Sequence, residues 1–220
     1  MDNNILKIYN LLLNKFREQG WWPRFDLKDN RFVYNKNFKH TKPSDQDSFI
    51  ISISALLAQN TVWKNVEKAI NNLSKENLLS KNALMKLENK QLANLIKPSG
   101  YFNQKAKKIK EFLKFNKEFN RENLLQVWGI GEETADSILL YAFNHPTFVI
   151  DAYTKRIFNR IGFKEKTYKE LQDLFHKNLL NDYKLFNEYH ALIVELAKRN
   201  CKKIPLCNNC SLNSICKKLI

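Results

Sequence analysis

Four thiols, one carboxylate and a pair of glycines are the residues whose types and spacing could do chemistry in this chain. All four cysteines, Cys201, Cys207, Cys210 and Cys216, lie near the C-terminus in a C-x5-C-x2-C-x5-C pattern. A disulfide framework scatters its cysteines through a small secreted domain, whereas four thiols in one short segment suit a single metal centre. Tetrahedral zinc and an iron–sulfur cluster are the two candidates. Only Cys207 and Cys210 form the short knuckle that zinc sites commonly use twice, and the wider flanking spacings favour the larger cluster. The glycines, Gly129 and Gly131, sit between apolar segments in NLLQVWGIGEETADSILLYAF. Gly-x-Gly opening a helix frees backbone N–H groups that can cradle a phosphate, although the same pattern serves as an ordinary helix–helix turn. Downstream, the apolar run ending in Val149-Ile150 places Asp151 at the start of the basic helix AYTKRIFNRI. There it can act as a working carboxylate or simply as the helix N-cap.

The elements that must position these groups read as helices. Ile5, Ile8, Tyr9, Leu12 and Phe16 recur at helical spacing over residues 4–18, and Val62, Val66, Ala69, Ile70 and Leu73 form a second stripe. Pro43-Ser44-Asp45 looks like a helix start, while FIISISALLAQNT (49–61) is ambiguous between strand and helix. Further helices are expected near 89–97, 103–118, 121–127, 132–143, 152–161, 167–180 and 184–200. Residues 24–46 are polar and basic with scattered aromatics and read as a long loop or insertion. Five glycines and five prolines in 220 residues are too few turn residues for a many-stranded sandwich or barrel.

Composition bounds the partner. With 37 Lys+Arg against 22 Asp+Glu the formal charge is +15, which suits a polyanion or reflects solvated basic faces. Neither a membrane-spanning run nor a signal-peptide pattern is evident, so an intracellular protein in a reducing compartment is expected.

VWGIGEETADSILLYA, then VIDAYTKRIFNRIG, then the four-cysteine tail together resemble the endonuclease III superfamily of helix–hairpin–helix DNA glycosylases. LLAQNT and PSGYFNQKAKKI fall where that superfamily has helix-end and loop motifs, so the resemblance covers roughly residues 47–216, with Trp21-Trp22-Pro23 before it. It implies an all-α, two-lobed fold with DNA across the cleft. One lobe would be a six-helix barrel over 47–145, with the hairpin at about 121–143; the other would join 1–23 to 146–220 and carry a 4Fe–4S loop at 201–216. Zinc remains the alternative metal. The first cysteine spacing departs from the six intervening residues most common in the family, which puts the loop's fine geometry in doubt. Residues 24–46 are left unmatched, as a basic insertion. The implied partner is double-stranded DNA with a flipped damaged base, bound by a monomer in the cytoplasm, at the nucleoid, with no membrane.

By the same resemblance, Asp151 is the catalytic aspartate, which stabilises an oxocarbenium-like state and orients or deprotonates water. Glu133 stands where bifunctional members carry the lysine that forms a Schiff base, and a carboxylate cannot form that adduct. Weak or absent lyase activity is therefore expected, although Lys155 or Lys105 could supply a surrogate amine, and Glu133 could simply complement the helix dipole. WWP with AQNTVW looks like the 3-methyladenine DNA glycosylase branch, in which aromatic rings sandwich a flipped purine. Trp21, Trp22 and Trp63 are then the base pocket, with Trp21 and Trp63 as its two faces; core packing is the alternative role. Gln59 matches the wedge residue that fills the vacated stack. Gly129, Gly131, Thr134, Lys155, Lys202 and Lys203 are the remaining DNA contacts. His190 reads as a packed structural histidine. Two other functions stay open: a bifunctional lyase for oxidised pyrimidines or a mismatch thymine glycosylase, and a non-catalytic DNA-binding iron–sulfur protein.

Overall fold

A computed structural model describes residues 3–219. In chain order the elements are α1 (Asn3–Phe16), β1 (Arg24–Asp26), β2 (Arg31–Val33), a 3-10 turn (Lys36–His40), α2 (Asp45–Ala58), α3 (Trp63–Lys75), α4 (Lys81–Lys86), α5 (Asn89–Leu95), α6 (Phe102–Leu113), α7 (Arg121–Leu125), α8 (Glu132–Ser137) continued by a π-helical stretch (Ile138–Ala142), α9 (Ala152–Ile161), α10 (Tyr168–Asn178) and α11 (Tyr183–Arg199). The chain divides into two compact units. One comprises Met1–Trp21, Asn35–His40 and His145–Ile220; the other comprises Trp22–Tyr34 and Thr41–Asn144. No helix among the described residues is long and apolar enough to cross a membrane.

In the second unit α2 is the central element. Ile50 through Leu57 are buried without interruption, so this helix is enclosed on every side and carries no periodic stripe. That explains why periodicity alone could not separate strand from helix here. Its start is fixed by a capping box, in which the Ser44 hydroxyl accepts from the Asp47 N–H and the Asp47 carboxylate accepts from the Ser44 N–H. Helices α3, α6 and α8 pack on α2, and α7 packs on α8 across the glycine turn.

The segment 24–46, read from sequence as a long loop or insertion, carries a short hairpin, a 3-10 turn and the start of α2. Phe25 faces Phe32 across an antiparallel hairpin whose turn is closed by the Asp26 carboxylate, which accepts from the N–H groups of Lys28 and Asp29. The hairpin packs against α2 and α3, burying Phe25. Three-residue strands are too short to show an alternating pattern, which is why composition concealed them. Residues 35–40 belong to the other unit, where the Lys39 side chain lies between Glu188 at 2.9 Å and Glu18 at 2.8 Å. Helix α6 ends at Leu113 rather than near 118, because the chain beyond it turns to pack Phe115 and Phe119 into an aromatic cluster with Phe112. Helix α4 was not anticipated; Ser80 caps it by accepting from the Ala83 N–H.

In the first unit α11 packs against α1 and α9. Its stretch from Phe186 to Ile193 is buried throughout, and the Tyr189 hydroxyl donates to the Ile5 carbonyl at 2.9 Å.

Candidate active site

The apolar run Phe148-Val149-Ile150 is buried and delivers Asp151 to the N-cap position of α9. Asp151 Oδ1 accepts from the Thr154 N–H at 2.7 Å and from the Thr154 hydroxyl at 2.8 Å, so the carboxylate is an N-cap in fact. Its second oxygen is not used by the cap. Oδ2 lies 3.7 Å from Nε2 of His190, and the Asp151 side chain retains 13% exposure. Burial pushes the His190 imidazole below its ordinary value, with the Asp151 charge opposing. His190 is packed, as the sequence suggested, but what it packs toward is the candidate catalytic group. The helical position of His190 carries no mark of this, since the pairing is between distant parts of the chain.

The far half of α9 holds the cysteine loop. Arg156 donates twice to the Cys201 carbonyl, at 3.1 and 2.8 Å, and Arg160 donates to the carbonyls of Lys202 and Lys203 at 2.6 and 2.9 Å. The Arg160 guanidinium also reaches the Cys201 sulfur at 3.4 Å. All four cysteines are free thiols and line one pocket together with Arg160 and Leu206. Burial raises the Cys210 thiol, and the three other cysteines add to that effect. Among the described residues no three His, Cys, Asp or Glu side chains are grouped tightly enough for one metal ion. Four thiols lining one pocket are a donor set whose chemistry suits a metal centre. With their carbonyls engaged by Arg160, Lys202 and Lys203 turn exposed side chains outward. Lys155 is also exposed, its Nζ 5.7 Å from the Tyr168 ring centre.

In the other unit, the hairpin turn is built on Gly129, whose φ of +87° is left-handed and whose missing Cβ would lie 2.4 Å from Lys108 Cγ. Gly131 is different: its backbone is extended, and a Cβ there would meet nothing within 4 Å. It caps α8 with no side-chain hydrogen bond to the first-turn N–H groups. Arg121 at the start of α7 pairs with the fully buried Asp136 at 2.9 Å and with Glu132 at 3.1 Å, tying the two helices of the hairpin together. Sequence reasoning missed this pair, although oppositely charged residues on adjoining short helices were a visible signal. Glu133 is exposed in the first turn of α8.

Gln59 ends α2 and is fully engaged within this unit. Its amide donates to the Gly129 carbonyl at 3.1 Å and the Thr134 hydroxyl at 2.9 Å, and its carbonyl accepts from Lys108 Nζ at 2.6 Å. A wedge role would require exchanging these bonds. Lys105 is 2% exposed and donates to the carbonyls of Leu57 and Ser99 at 2.8 and 2.7 Å. Burial, then the neighbouring Lys108, lowers it to about 8. Such a pKa suits a nucleophile, but an enclosed ammonium capping two carbonyls is poorly placed to attack a sugar.

The aromatic residues divide. Trp63 stands edge-on to Trp22 at 5.0 Å and 5.1 Å from Phe32 of the hairpin, and its indole N–H donates to Glu67 at 3.1 Å. Trp22 is 7% exposed and has Tyr141 5.0 Å away as well. Trp22 is thus buried in an aromatic cluster with Trp63 and Tyr141, the packing role that the sequence offered as the alternative to a base pocket. Trp21 belongs to the first unit, where Lys198 Nζ lies 5.9 Å from its ring centre. Phe25, Phe32 and Tyr34 were not anticipated, because the hairpin carrying them read as a loop. Burial and Glu67 raise the Tyr34 phenol to about 12.

Residues 53–179 match the profile of HhH-GPD superfamily base excision DNA repair proteins. A protein of Methanocaldococcus jannaschii assigned as a DNA repair glycosylase is 40% identical over 96% of this chain and 95% of its own length. Endonuclease III of Thermotoga maritima is 33% identical over 84% of this chain and 87% of its own. Among solved structures, the H. pylori 3-methyladenine DNA glycosylase MagIII bound to 1,N6-ethenoadenine superposes with a TM-score of 0.67 at 26% identity, covering 89% of this chain and 96% of that one. The chain belongs to the HhH-GPD superfamily of base-excision DNA repair proteins.

Proposed function

We propose that this DNA glycosylase is monofunctional and removes alkylated purines from double-stranded DNA by hydrolysis at Asp151. The observation that carries the reading is the division of labour at that carboxylate: Oδ1 is fixed by the cap, while Oδ2 is left for chemistry in a partly open position. A negative charge held in this way stabilises the cationic sugar and accepts a proton from water. Glu133 at the lysine position of the hairpin supports hydrolysis over lyase chemistry, and Lys105 is a poor substitute because both its burial and its two carbonyl partners hold it back. A base already bearing positive charge is an activated leaving group, which fits a site without a covalent nucleophile. Trp63 and Trp21 remain the candidate stacking residues, since aromatic faces attract a cationic base.

DNA binding is assigned to the N–H groups opened by Gly131, with Thr134 supporting the turn and Lys155, Lys202 and Lys203 as phosphate contacts. Cys201, Cys207, Cys210 and Cys216 would hold a 4Fe–4S cluster. That group would supply structural cross-linking of the loop that Arg156 and Arg160 fasten to α9. A brown protein absorbing near ~400 nm supports this assignment, and a colourless protein with one zinc overturns it.

The similarity to endonuclease III favours a second reading, a bifunctional glycosylase and lyase on oxidised pyrimidines. Defined duplexes carrying one lesion each, scored with and without alkali, separate the two. Release of an alkylated purine with breaks only after alkali is the expected result. Alkali-independent breaks, or borohydride-trapped adducts, overturn it.

A further inference from the structure

A stacking surface at Trp63 does not by itself tell a charged base from a neutral one, because every base has a π face. Next to that ring stands a carboxylate with no part in the hydrolysis. Glu67, one turn further along α3, accepts from the Trp63 indole N–H at 3.1 Å and from the Tyr34 hydroxyl at 3.4 Å. Both bonds converge on Oε1, and Oε2 is engaged by neither. We propose that Glu67, braced by Trp63 and Tyr34, is a specificity-determining residue that selects a positively charged purine over a neutral one at Trp63. The inference rests on the reading of Trp63 as a base-stacking residue. It also gives the β1–β2 hairpin a task, since Tyr34 directly follows β2.

The surroundings leave the Glu67 charge available. Among the described residues it joins no ion pair, although Lys64 and Lys68 lie on the same helix. Its two partners are neutral donors: the indole N–H does not titrate, and burial, then the Glu67 charge, raises the Tyr34 phenol to about 12. Glu67 is partly buried, where a charge is screened less than in open solvent. Bonded to the indole N–H, the carboxylate sits at the rim of the ring, so its field adds to the ring's own attraction for a cation. Trp22 and Phe32 meet Trp63 at 89° and 61°, and these edge contacts hold the indole in place. A purine methylated at N3 or N7 is cationic while still joined to the sugar. As the C1′–N bond breaks, its electron pair goes to the base, which leaves neutral, and the positive charge passes to the sugar. Glu67 therefore acts on the base while it is still charged, in recognition, whereas Asp151 acts on the sugar as charge arrives there.

The test uses short duplex DNA methylated with dimethyl sulfate, scored for single-turnover release of methylated purines at subsaturating enzyme. Glu67→Gln keeps an acceptor for Trp63 and Tyr34 and removes the charge. It should lower release about 5- to 10-fold, while affinity for a duplex carrying a tetrahydrofuran abasic analogue, which has no base to recognise, stays within about twofold. Undiminished release, or an equal loss of affinity for the abasic duplex, overturns the proposal. NMR of the Trp63 indole N–H gives a readout independent of activity. 7-Methylguanosine, cationic in slightly acidic buffer, should shift that signal at lower concentration than guanosine does, and Glu67→Gln should remove the difference. Equal or absent responses in the wild-type protein overturn the proposal. If the wild-type protein releases no base from methylated DNA yet still prefers the cationic nucleoside, the alkylated-purine reading fails and the selectivity at Trp63 stands.

Discussion

The starts of α8 and α9 solve the same problem in opposite ways. Each leaves first-turn N–H groups without helical partners. At α9 the Asp151 side chain satisfies the Thr154 N–H, so the helix start is closed by the protein's own carboxylate. At α8 the cap is Gly131, which has no side chain to offer, so no side-chain bond closes that start. In the proposed function the first arrangement fixes a charge for chemistry and the second leaves donors for a phosphate. The lesson is that a helix N-terminus becomes a reaction site or a docking site according to whether its cap brings its own oxygen.

The sharpest way to break this contrast is Asp151→Asn. Asparagine caps as well as aspartate, so thermal stability should change little, yet single-turnover excision should fall about 10³-fold. Equal losses of stability and rate would mean that Asp151 is a cap and nothing more. Next in size is Arg121→Met, which removes the guanidinium from buried Asp136 and should cost about 3 kcal/mol of stability, measured by denaturant unfolding. It tests whether the open helix start depends on the ion pair beneath it. The two glycines then separate folding from binding. Gly129→Ala forces a left-handed alanine into the Lys108 side chain and should destabilise by about 1–2 kcal/mol. Gly131→Ala has extended backbone and open space, so stability should hold while DNA affinity drops about tenfold, roughly 1.4 kcal/mol. Unchanged affinity in Gly131→Ala would remove the phosphate from that helix start.

Much of the helical framework was legible because amphipathic stripes report a helix with one buried face. Of the stripe Val62, Val66, Ala69, Ile70 and Leu73, the last four are buried as their spacing indicates, whereas Val62, the N-cap of α3, is 64% exposed. Legibility failed where burial is not periodic or where structure is too short. Helix α2 is enclosed all round, and the β1–β2 hairpin has three residues per strand. At the candidate site, Asp151 and the four cysteines could be named from local motifs. His190 could not, nor could the engagement of Gln59 by Lys108 and Thr134, because both depend on contacts between residues far apart in sequence. Trp22 shows the converse: a suggestive residue type whose neighbours, Trp63 and Tyr141, make it part of the packing.

The smallest expected effect sharpens the comparison most. Glu133 is exposed in the first turn of α8, where a carboxylate favours the helix dipole but opposes an arriving phosphate. Glu133→Gln should therefore cost only about 0.3 kcal/mol of stability. DNA affinity should rise about two- to fourfold at low salt, and the gain should fade as salt screens the charge. Since glutamine supplies no amine, borohydride should still trap nothing. Glu133→Lys asks the remaining question, because it restores both the positive charge and the nucleophile at that helix start. Trapped adducts in that variant would mean that the hairpin already presents the position to the sugar, so that one side chain separates hydrolysis from lyase chemistry. Tighter binding without adducts would mean that the open helix start serves docking alone, and that the reaction geometry has been rebuilt around Asp151.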